Sequence, residues 1–328
     1  MNFQQLPKIE LHLHHEGAAP PNFIRQLAHE KKVDLSGIFD AEGGYKYENF
    51  VHFLSVYEAA CSVLTSPEDF QRLTTEILAN CAENGAIYVE SFISPDFCGG
   101  SDLGAWREYL SAMQQAASDA ERDYGILSKG IATCIRHFGS DKAKAAAKCA
   151  AETAGDYIVG FGMGGDENMG TQGDFSYAFD MAREAKLHLT THAGEWGGAE
   201  SVRQAIFDLN VERLGHGFQV IEDQNLVEEV KARQVMLEVC PGSNVFLEAC
   251  PSLKNHPIQA LRDQGVKVSI STDDPPFFHT TLTKEYEDLA RVFGWSEDDF
   301  KAINHDAINA AFCDDATKAK LRKKLEEY

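Results

Sequence analysis

Short apolar segments alternate with longer amphipathic segments along almost the whole chain. The short segments hold four to seven residues and are rich in valine, isoleucine and leucine. We predict them as strands over 9–14, 86–92, 130–135, 157–162, 187–192, 213–216, 235–240 and 266–271. Apolar residues recur at helical spacing between them. These segments are predicted as helices over 22–28, 47–57, 66–84, 102–123, 142–154, 175–185, 199–209, 227–233 and 258–264, and from 282 to the end.

Strands that alternate with helices are typical of parallel βα units. Eight such units predict an α/β fold, a closed (β/α)8 TIM barrel with extra helices, and an open doubly wound sheet is the alternative. The length of 328 residues exceeds the usual size of one hydrophobic core but suits a barrel with insertions. Because no linker or change of composition interrupts the pattern, we expect a single domain over 1–328.

Composition narrows the range of partners. The formal net charge of −21 argues against a general affinity for nucleic acid or anionic membranes, because both attract a basic face. Eight cysteines are scattered without a C-x-x-C pair, so they predict no disulfide framework. The chain shows no signal peptide and no apolar stretch of 18 residues, so we expect a cytoplasmic location. The oligomeric state stays open.

Polar side chains collect where the predicted strands end. In a barrel of parallel strands these ends meet on one face, where such folds build their active sites. In chain order the polar residues are His12 and His14, Glu90 and Ser94, Arg136 and His137, Asp166 and Glu167, His192 and Glu195, His216, Ser243 and Asn244, and Asp273 and Asp274. Their concentration at one end of the strands predicts a site there.

Four of these residues predict a metal site. His12 and His14 share one face of a strand, about 7 Å apart along it. With His192 and Asp273 they offer three nitrogens and one carboxylate oxygen, which suits one Zn2+ ion, or another divalent metal, with a position left for water. Taken singly, each has an ordinary alternative, as a hydrogen-bonded histidine or an aspartate in a turn. Glu195, three residues after His192, is placed to face the metal ligands without joining them.

The motifs ELHLHHEG, GGDE, THAGE, LGHG, CPGSN and STDDP resemble the adenosine deaminase family of metal-dependent amidohydrolases, in the family's order from residue 10 to residue 275. The resemblance implies that zinc is held by His12, His14, His192 and Asp273. It implies that Glu195 protonates the purine N1, that His216 orients and deprotonates the zinc-bound water, and that Asp274 accepts a hydrogen bond from it. The positions implied to bind substrate are His14, Glu16, the backbone of Gly165, Ser94 and His137.

Hydrolytic deamination at purine C6 is chemically consistent with these residues. Zinc lowers the pKa of bound water to about 7. Attack on C6 breaks the aromaticity of the ring, and a carboxylic acid in a dry pocket can relieve the developing charge by protonating N1. The purine also needs a flat apolar slot. The predicted helix that carries Phe50, Phe53, Val56 and Tyr57 can form a wall or lid, with plain core packing as the alternative.

Two positions depart from the family pattern. Adenosine deaminases typically have Asp two residues after the second metal histidine, where it holds the ribose 5′-hydroxyl, but this chain has Glu16, as related adenine deaminases do. The longer side chain reaches about 1.5 Å further and can crowd a ribose or pair with N9–H of a free base. In contrast, the stretch 275–282 looks more like the adenosine branch. His15 replaces a usual apolar residue and should point away from the metal.

We therefore predict zinc-dependent hydrolytic deamination of adenosine and 2′-deoxyadenosine to inosine and ammonia in purine salvage. This activity makes the protein a hydrolase of a C–N bond in a cyclic amidine, with a small purine and water as its partners. The alternative is an adenine deaminase that converts adenine to hypoxanthine and ammonia by the same mechanism. A non-catalytic purine-binding barrel is a remote alternative, because every ligand position and Glu195 are present.

Overall fold

In a computed structural model that describes all 328 residues, eight parallel strands follow one another in chain order around one sheet. They are β1 (Lys8–His14), β2 (Ala86–Ile93), β3 (Leu127–Ile135), β4 (Ile158–Gly164), β5 (His188–Ala193), β6 (Arg213–His216), β7 (Met236–Val239) and β8 (Val268–Ile270). After β8, the backbone N–H of Asp273 donates to the carbonyl of His12 (3.1 Å), and that of His14 donates to the carbonyl of Asp273 (3.0 Å). These bonds join the two ends of the sheet, which confirms the predicted barrel.

Thirteen α-helices surround the barrel. They are α1 (Pro21–Lys31), α2 (Phe50–Cys61), α3 (Pro67–Glu83), α4 (Leu103–Tyr124), α5 (Ser140–Glu152), α6 (Ser176–Glu184), α7 (Gly198–Phe207), α8 (Gln224–Ala232), α9 (Pro241–Phe246), α10 (Ile258–Asp263), α11 (Leu282–Phe293), α12 (Glu297–Ala310) and α13 (Asp315–Glu326). Local signals set their ends. The Ser66 side chain accepts the backbone N–H of Asp69 at the start of α3, next to Pro67.

Apart from shifts of a few residues at helix ends, the structure departs from the predicted helices in two places. The segment from 282 onward is three helices, because Gly294 stops α11 with a φ of 71° and Ser296 begins α12 with a capping box. The second departure is α9, which none of the predicted helices covers. Proline and glycine in CPGSN signal a turn, but Pro241 occupies the first helical position, where its missing N–H costs nothing.

A buried ion network crosses the barrel interior. The guanidinium of Arg213 on β6 lies 2.6 Å from Oε2 of Glu90 and 2.7 Å from Oε1 of Glu238. It also donates to the backbone carbonyl of Ala310 (3.1 Å) at the end of α12. The second oxygen of Glu238 accepts a hydrogen bond from Nδ1 of His12 (2.9 Å). The network therefore connects the C-terminal helices to the first strand.

All eight cysteines are buried and free. No helix combines the length and the hydrophobicity that crossing a bilayer requires.

The ion network yields a stability prediction. Arg213→Ala should lower the free energy of unfolding by about 3–5 kcal/mol, because it leaves Glu90 and Glu238 buried without their cation. Urea unfolding of the purified protein measures the change. Arg122→Ala is the control, since Arg122 pairs with aspartates but is 65% exposed, and it should leave the unfolding midpoint unchanged. An Arg213→Ala protein as stable as the wild type would contradict the role of this network.

Candidate active site

Three histidines and one aspartate meet at the carboxyl ends of the barrel strands. His12 and His14 come from β1, His192 comes from β5 and Asp273 follows β8, and one possible ligand atom from each lies within 4.8 Å of the others. Nε2 of His14 is 3.0 Å from Nε2 of His192. Oδ1 of Asp273 is 3.3 Å from Nε2 of His12 and 3.2 Å from Nε2 of His14. The structure thus brings together all four predicted metal-binding residues.

The hydrogen bonds of these histidines suit a metal ion. Nδ1 of His12 donates to the Glu238 carboxylate (2.9 Å), and Nδ1 of His192 donates to the Met163 carbonyl (2.8 Å). Each bond fixes the tautomer that leaves Nε2 free of hydrogen and able to bind a metal. Nε2 of His12 is buried and has no hydrogen-bond partner, which is rare for a nitrogen that is not a ligand. Three nitrogens and one carboxylate oxygen are a donor set that fits a catalytic zinc.

Two glycines make room for these side chains. A Cβ atom on Gly17 would lie 1.6 Å from Oδ1 of Asp274, and one on Gly215 would lie 2.8 Å from Cε1 of His12. Both distances are far shorter than a van der Waals contact. Glycine at these positions therefore lets a functional side chain approach the backbone.

Glu195 lies beside the four predicted metal-binding residues without being one of them. Its loop is held by Glu167, whose carboxylate accepts the backbone N–H groups of Gly194 (2.6 Å), Glu195 (3.0 Å) and Trp196 (2.7 Å). Burial, together with the negative charges of Asp273 and Glu167, raises the pKa of the Glu195 carboxyl well above its usual range. A carboxyl of this kind holds a proton at neutral pH and can serve as an acid.

His216 and Asp274 both line the site. Nε2 of His216 is 3.5 Å from Oε2 of Glu195 and 3.8 Å from Oδ2 of Asp273. His216 and Asp273 have φ angles of 59° and 68°, a left-handed backbone that is uncommon for residues other than glycine and is often found at functional sites. Burial and the charges of Asp273 and Glu195 raise the pKa of Asp274 well above its usual range. Once ionised, such a carboxylate is a good proton acceptor.

A pocket with a largely apolar surface opens over these groups. Phe50, Phe53 and Tyr57 of α2 line one wall, so α2 does form the predicted wall of the slot. Val56 instead packs in the core and is 2% exposed. The 275–282 stretch does not line the pocket.

Glu16 lies in the pocket wall and is almost fully buried. One of its oxygens accepts the backbone N–H of Ser94 (3.0 Å) and the other accepts the hydroxyl of Tyr57 (3.4 Å). Burial raises the pKa of Glu16 to about 7. The hydroxyl of Ser94 is also buried and has no hydrogen-bond partner. Glu16 is therefore a fixed polar group in a largely apolar pocket.

The remaining predicted residues lie at the rim or outside the pocket. His137 is at the rim, where its Nε2 lies 3.2 Å from a carboxylate oxygen of Glu58 on α2. Gly165 lines the pocket beside it with a φ of 96°. His15 points away from the metal-binding residues, as the strand alternation predicts, and its Nε2 is 2.8 Å from the hydroxyl of Thr74.

Sequence patterns do not show what the polar groups behind the site contact. Glu238 shows one signal, since it is a charged residue inside the apolar strand β7. Ser243, whose hydroxyl donates to Oδ2 of Asp273 (2.6 Å), looks like an ordinary turn residue. Glu167 belongs to the GGDE motif, but nothing in the motif shows that it binds the loop of Glu195. The partners of all three depend on the three-dimensional fold.

A match over nearly the whole chain determines its family. Residues 7–328 match the family model for adenosine deaminase. This chain belongs to the adenosine deaminase family. The match includes all eight strands and all thirteen helices. The protein is therefore a deaminase, a hydrolase that acts on C–N bonds, as the motifs imply.

Individual relatives are similar over their full length. An adenine deaminase from Rhizobium rhizogenes is 43% identical over 320 residues, covering 98% of this chain and 99% of the relative. The crystal structure of adenine deaminase from Arthrobacter aurescens has a TM-score of 0.89 at 30% identity, covering 99% of this chain and 98% of that chain. A zinc-bound amidohydrolase from Burkholderia ambifaria has a TM-score of 0.88 at 26% identity, covering 99% and 91%.

The contact between Glu238 and His12 leads to a prediction about metal affinity. If His12 is a metal ligand as predicted, Glu238→Gln should weaken zinc binding by about 10- to 100-fold, because the negative charge that orients its ring is lost. Competition with a chromophoric chelator measures the affinity. Glu212→Gln is a matched control, since Glu212 pairs with His188 at 2.8 Å on the surface, far from the metal residues. Equal zinc affinities in the Glu238→Gln protein and the wild type would refute this contribution.

Proposed function

We propose that this protein is a zinc-dependent adenine deaminase, which hydrolyses adenine to hypoxanthine and ammonia. The observation that carries the proposal is the buried carboxylate of Glu16 in the pocket wall. The full-length relatives named adenine deaminase support the same substrate. Adenosine, the main prediction from the sequence, becomes the second candidate. Its support came from 275–282, and Phe277 and Phe278 of this stretch are buried in the core, outside the pocket.

The carboxylate of Glu16 suits a free base better than a nucleoside. Ser94 and Tyr57 each donate a hydrogen bond to it, so it is already fixed in place when substrate enters. Adenine carries a hydrogen on N9, which can donate to this carboxylate. In adenosine the ribose replaces that hydrogen, so the buried carboxylate would lose its donor and would also crowd the sugar.

Each predicted residue then has a place in the reaction. The metal would be held by His12, His14, His192 and Asp273. A bound zinc ion lowers the pKa of water to about 7 and so supplies a strong nucleophile at neutral pH. His216 and Asp274 flank the attacking water, and the backbone of Gly165 contacts the edge of the purine. Ser94 and His137 line the pocket.

The proton balance of the reaction needs one acid and one proton acceptor. The water oxygen bonds to C6 while the Glu195 proton passes to N1. One proton of the water passes to Asp274 and then to the amino group at C6. The second proton of the water restores Glu195. The C6–N bond breaks, ammonia leaves, and hypoxanthine keeps a carbonyl at C6 and a hydrogen on N1.

Glu195→Gln tests the role of Glu195 as the acid that protonates N1. The variant should bind about one equivalent of zinc but lose turnover by about 10²- to 10⁴-fold, because the amide has no acidic proton to give to N1. Turnover is followed by ammonia release, and the metal by elemental analysis. Glu200→Gln, at a 67% exposed position on α7, is the control and should behave like the wild type. Near-normal turnover in Glu195→Gln would exclude the acid role, and full activity without metal would exclude the metal role.

Glu16→Asp tests whether Glu16 selects adenine over adenosine. The shorter side chain should lose its contact with N9–H, so the ratio of kcat/KM for adenine to that for adenosine should fall roughly 10- to 100-fold, as for one hydrogen bond to a charged group. Absorbance assays on adenine, adenosine and 2′-deoxyadenosine, side by side, measure this ratio. Glu48→Asp, an exposed position before α2, is the control. An unchanged ratio would count against Glu16 as the selecting residue, and a wild type that prefers adenosine would count against adenine.

A further inference from the structure

A chain of buried hydrogen bonds runs from His216 away from the pocket. Nδ1 of His216 is 2.9 Å from Nδ2 of Asn244 on α9, and Oδ1 of Asn244 is 3.1 Å from Nε2 of His256. Nδ1 of His256 is 3.2 Å from the backbone nitrogen of Ile258, the first residue of α10. The side chains of His216, Asn244 and His256 are all buried, so each depends on the next for its hydrogen bond.

The backbone N–H of Ile258 fixes the direction of every hydrogen bond in this series. The N–H of Ile258 can only donate, so Nδ1 of His256 accepts and the hydrogen of this neutral ring lies on Nε2. Burial lowers the pKa of His256 to about 4, which keeps the ring neutral near pH 7. Its Nε2–H needs an acceptor, so Asn244 turns its carbonyl oxygen toward His256 and its amide nitrogen toward His216. The reverse orientation of the amide would set N–H groups against each other.

The contact with Asn244 determines which nitrogen of His216 carries the hydrogen. The amide of Asn244 donates to Nδ1 of His216, so the hydrogen of the neutral His216 ring lies on Nε2. This Nε2 faces the site, 3.5 Å from Oε2 of Glu195. A ring nitrogen that already carries a hydrogen cannot take a proton from water, but it can donate a hydrogen bond to an oxygen.

We propose that Asn244 and His256 are positioning residues that make His216 a hydrogen-bond donor to the oxygen of the attacking water, while Asp274 takes the proton of that water. This assignment rests on the proposed function. It differs from the role implied by the family resemblance, in which His216 deprotonates the water. A fixed donor at this place stabilises negative charge as it develops on the oxygen, which is among the largest contributions available to an active site.

The first test reads the hydrogen positions directly. Long-range ¹⁵N–¹H NMR correlations of the histidine rings in the zinc-loaded protein distinguish hydrogen on Nδ1 from hydrogen on Nε2. We expect Nε2–H in both His216 and His256, with signals assigned by their loss in His216→Gln and His256→Gln. Hydrogen on Nδ1 of His216 in the wild type would overturn the proposal.

The second test separates a donor from a base. His216→Leu should lower kcat by about 10²- to 10³-fold, as the loss of one oxyanion donor does. His216→Gln keeps an N–H donor near the same place but cannot accept a proton, so it should recover at least a tenfold part of that loss. Equal activities of the two variants would refute the donor role.

The third test concerns the positioning residues. Asn244→Leu removes the donor to Nδ1 of His216, so kcat should fall about tenfold or more with little change in KM or zinc content, and NMR should show both tautomers of His216. Asn309→Leu is the matched control, because Asn309 makes the same contact with Nδ1 of His305 (3.2 Å) on the surface. An Asn244→Leu protein with one Nε2–H tautomer and normal kcat would contradict the proposal.

Failure of this proposal can be told apart from failure of the proposed function. If the wild type deaminates another purine and not adenine, the proposed substrate is wrong. The ratio between His216→Gln and His216→Leu, measured on that purine, and the NMR signals of the wild type then still test the role of His216.

Discussion

The burial of carboxyl groups in a pocket without lysine or arginine organises the whole site. Four buried carboxyl groups line the pocket, namely Glu16, Glu195, Asp273 and Asp274. Carboxylates crowded in this way cannot all ionise unless a cation or protons share the charge. Although burial acts in the opposite direction, the close imidazole rings of His12 and His14 hold the pKa of Asp273 well below its usual range. The pKa values of Glu195 and Asp274 are raised. One carboxylate is thus suited to a cation and two are suited to proton transfer.

The groups behind the pocket make this distribution of charge rigid. Glu238 fixes His12 from within the barrel, and Glu167 fixes the loop of Glu195 through three backbone N–H groups. Asn244 fixes His216 in the same way, from a helix that follows the next strand. None of these residues needs to touch substrate to matter, because a catalytic group works only when its own hydrogen bonds hold it in position.

Strand periodicity explains how much of the molecule is predictable from the sequence. The alternation of His12 and His14 with leucines places both histidines on one face, and eight repeated βα units bring them near Asp273. The partners of buried polar groups are not predictable in this way, because contacts such as Glu238 with Arg213 depend on the register of neighbouring strands. The substrate is likewise not predictable from the sequence alone. Glu16 and the 275–282 stretch pointed to different substrates, and only the fold shows that Glu16 lines the pocket.

The ion network around Arg213 links two distant parts of the chain. It joins the end of α12, through the carbonyl of Ala310, to Glu238 and so to His12 of the proposed metal site. Docking of the C-terminal helices and occupation of the metal site therefore draw on one set of buried charges. By thermodynamic reciprocity, any free energy by which metal binding stabilises the docked helices equals the free energy by which their docking strengthens metal binding. The last helices of this barrel are in this sense part of its cofactor site, although they lie outside the pocket.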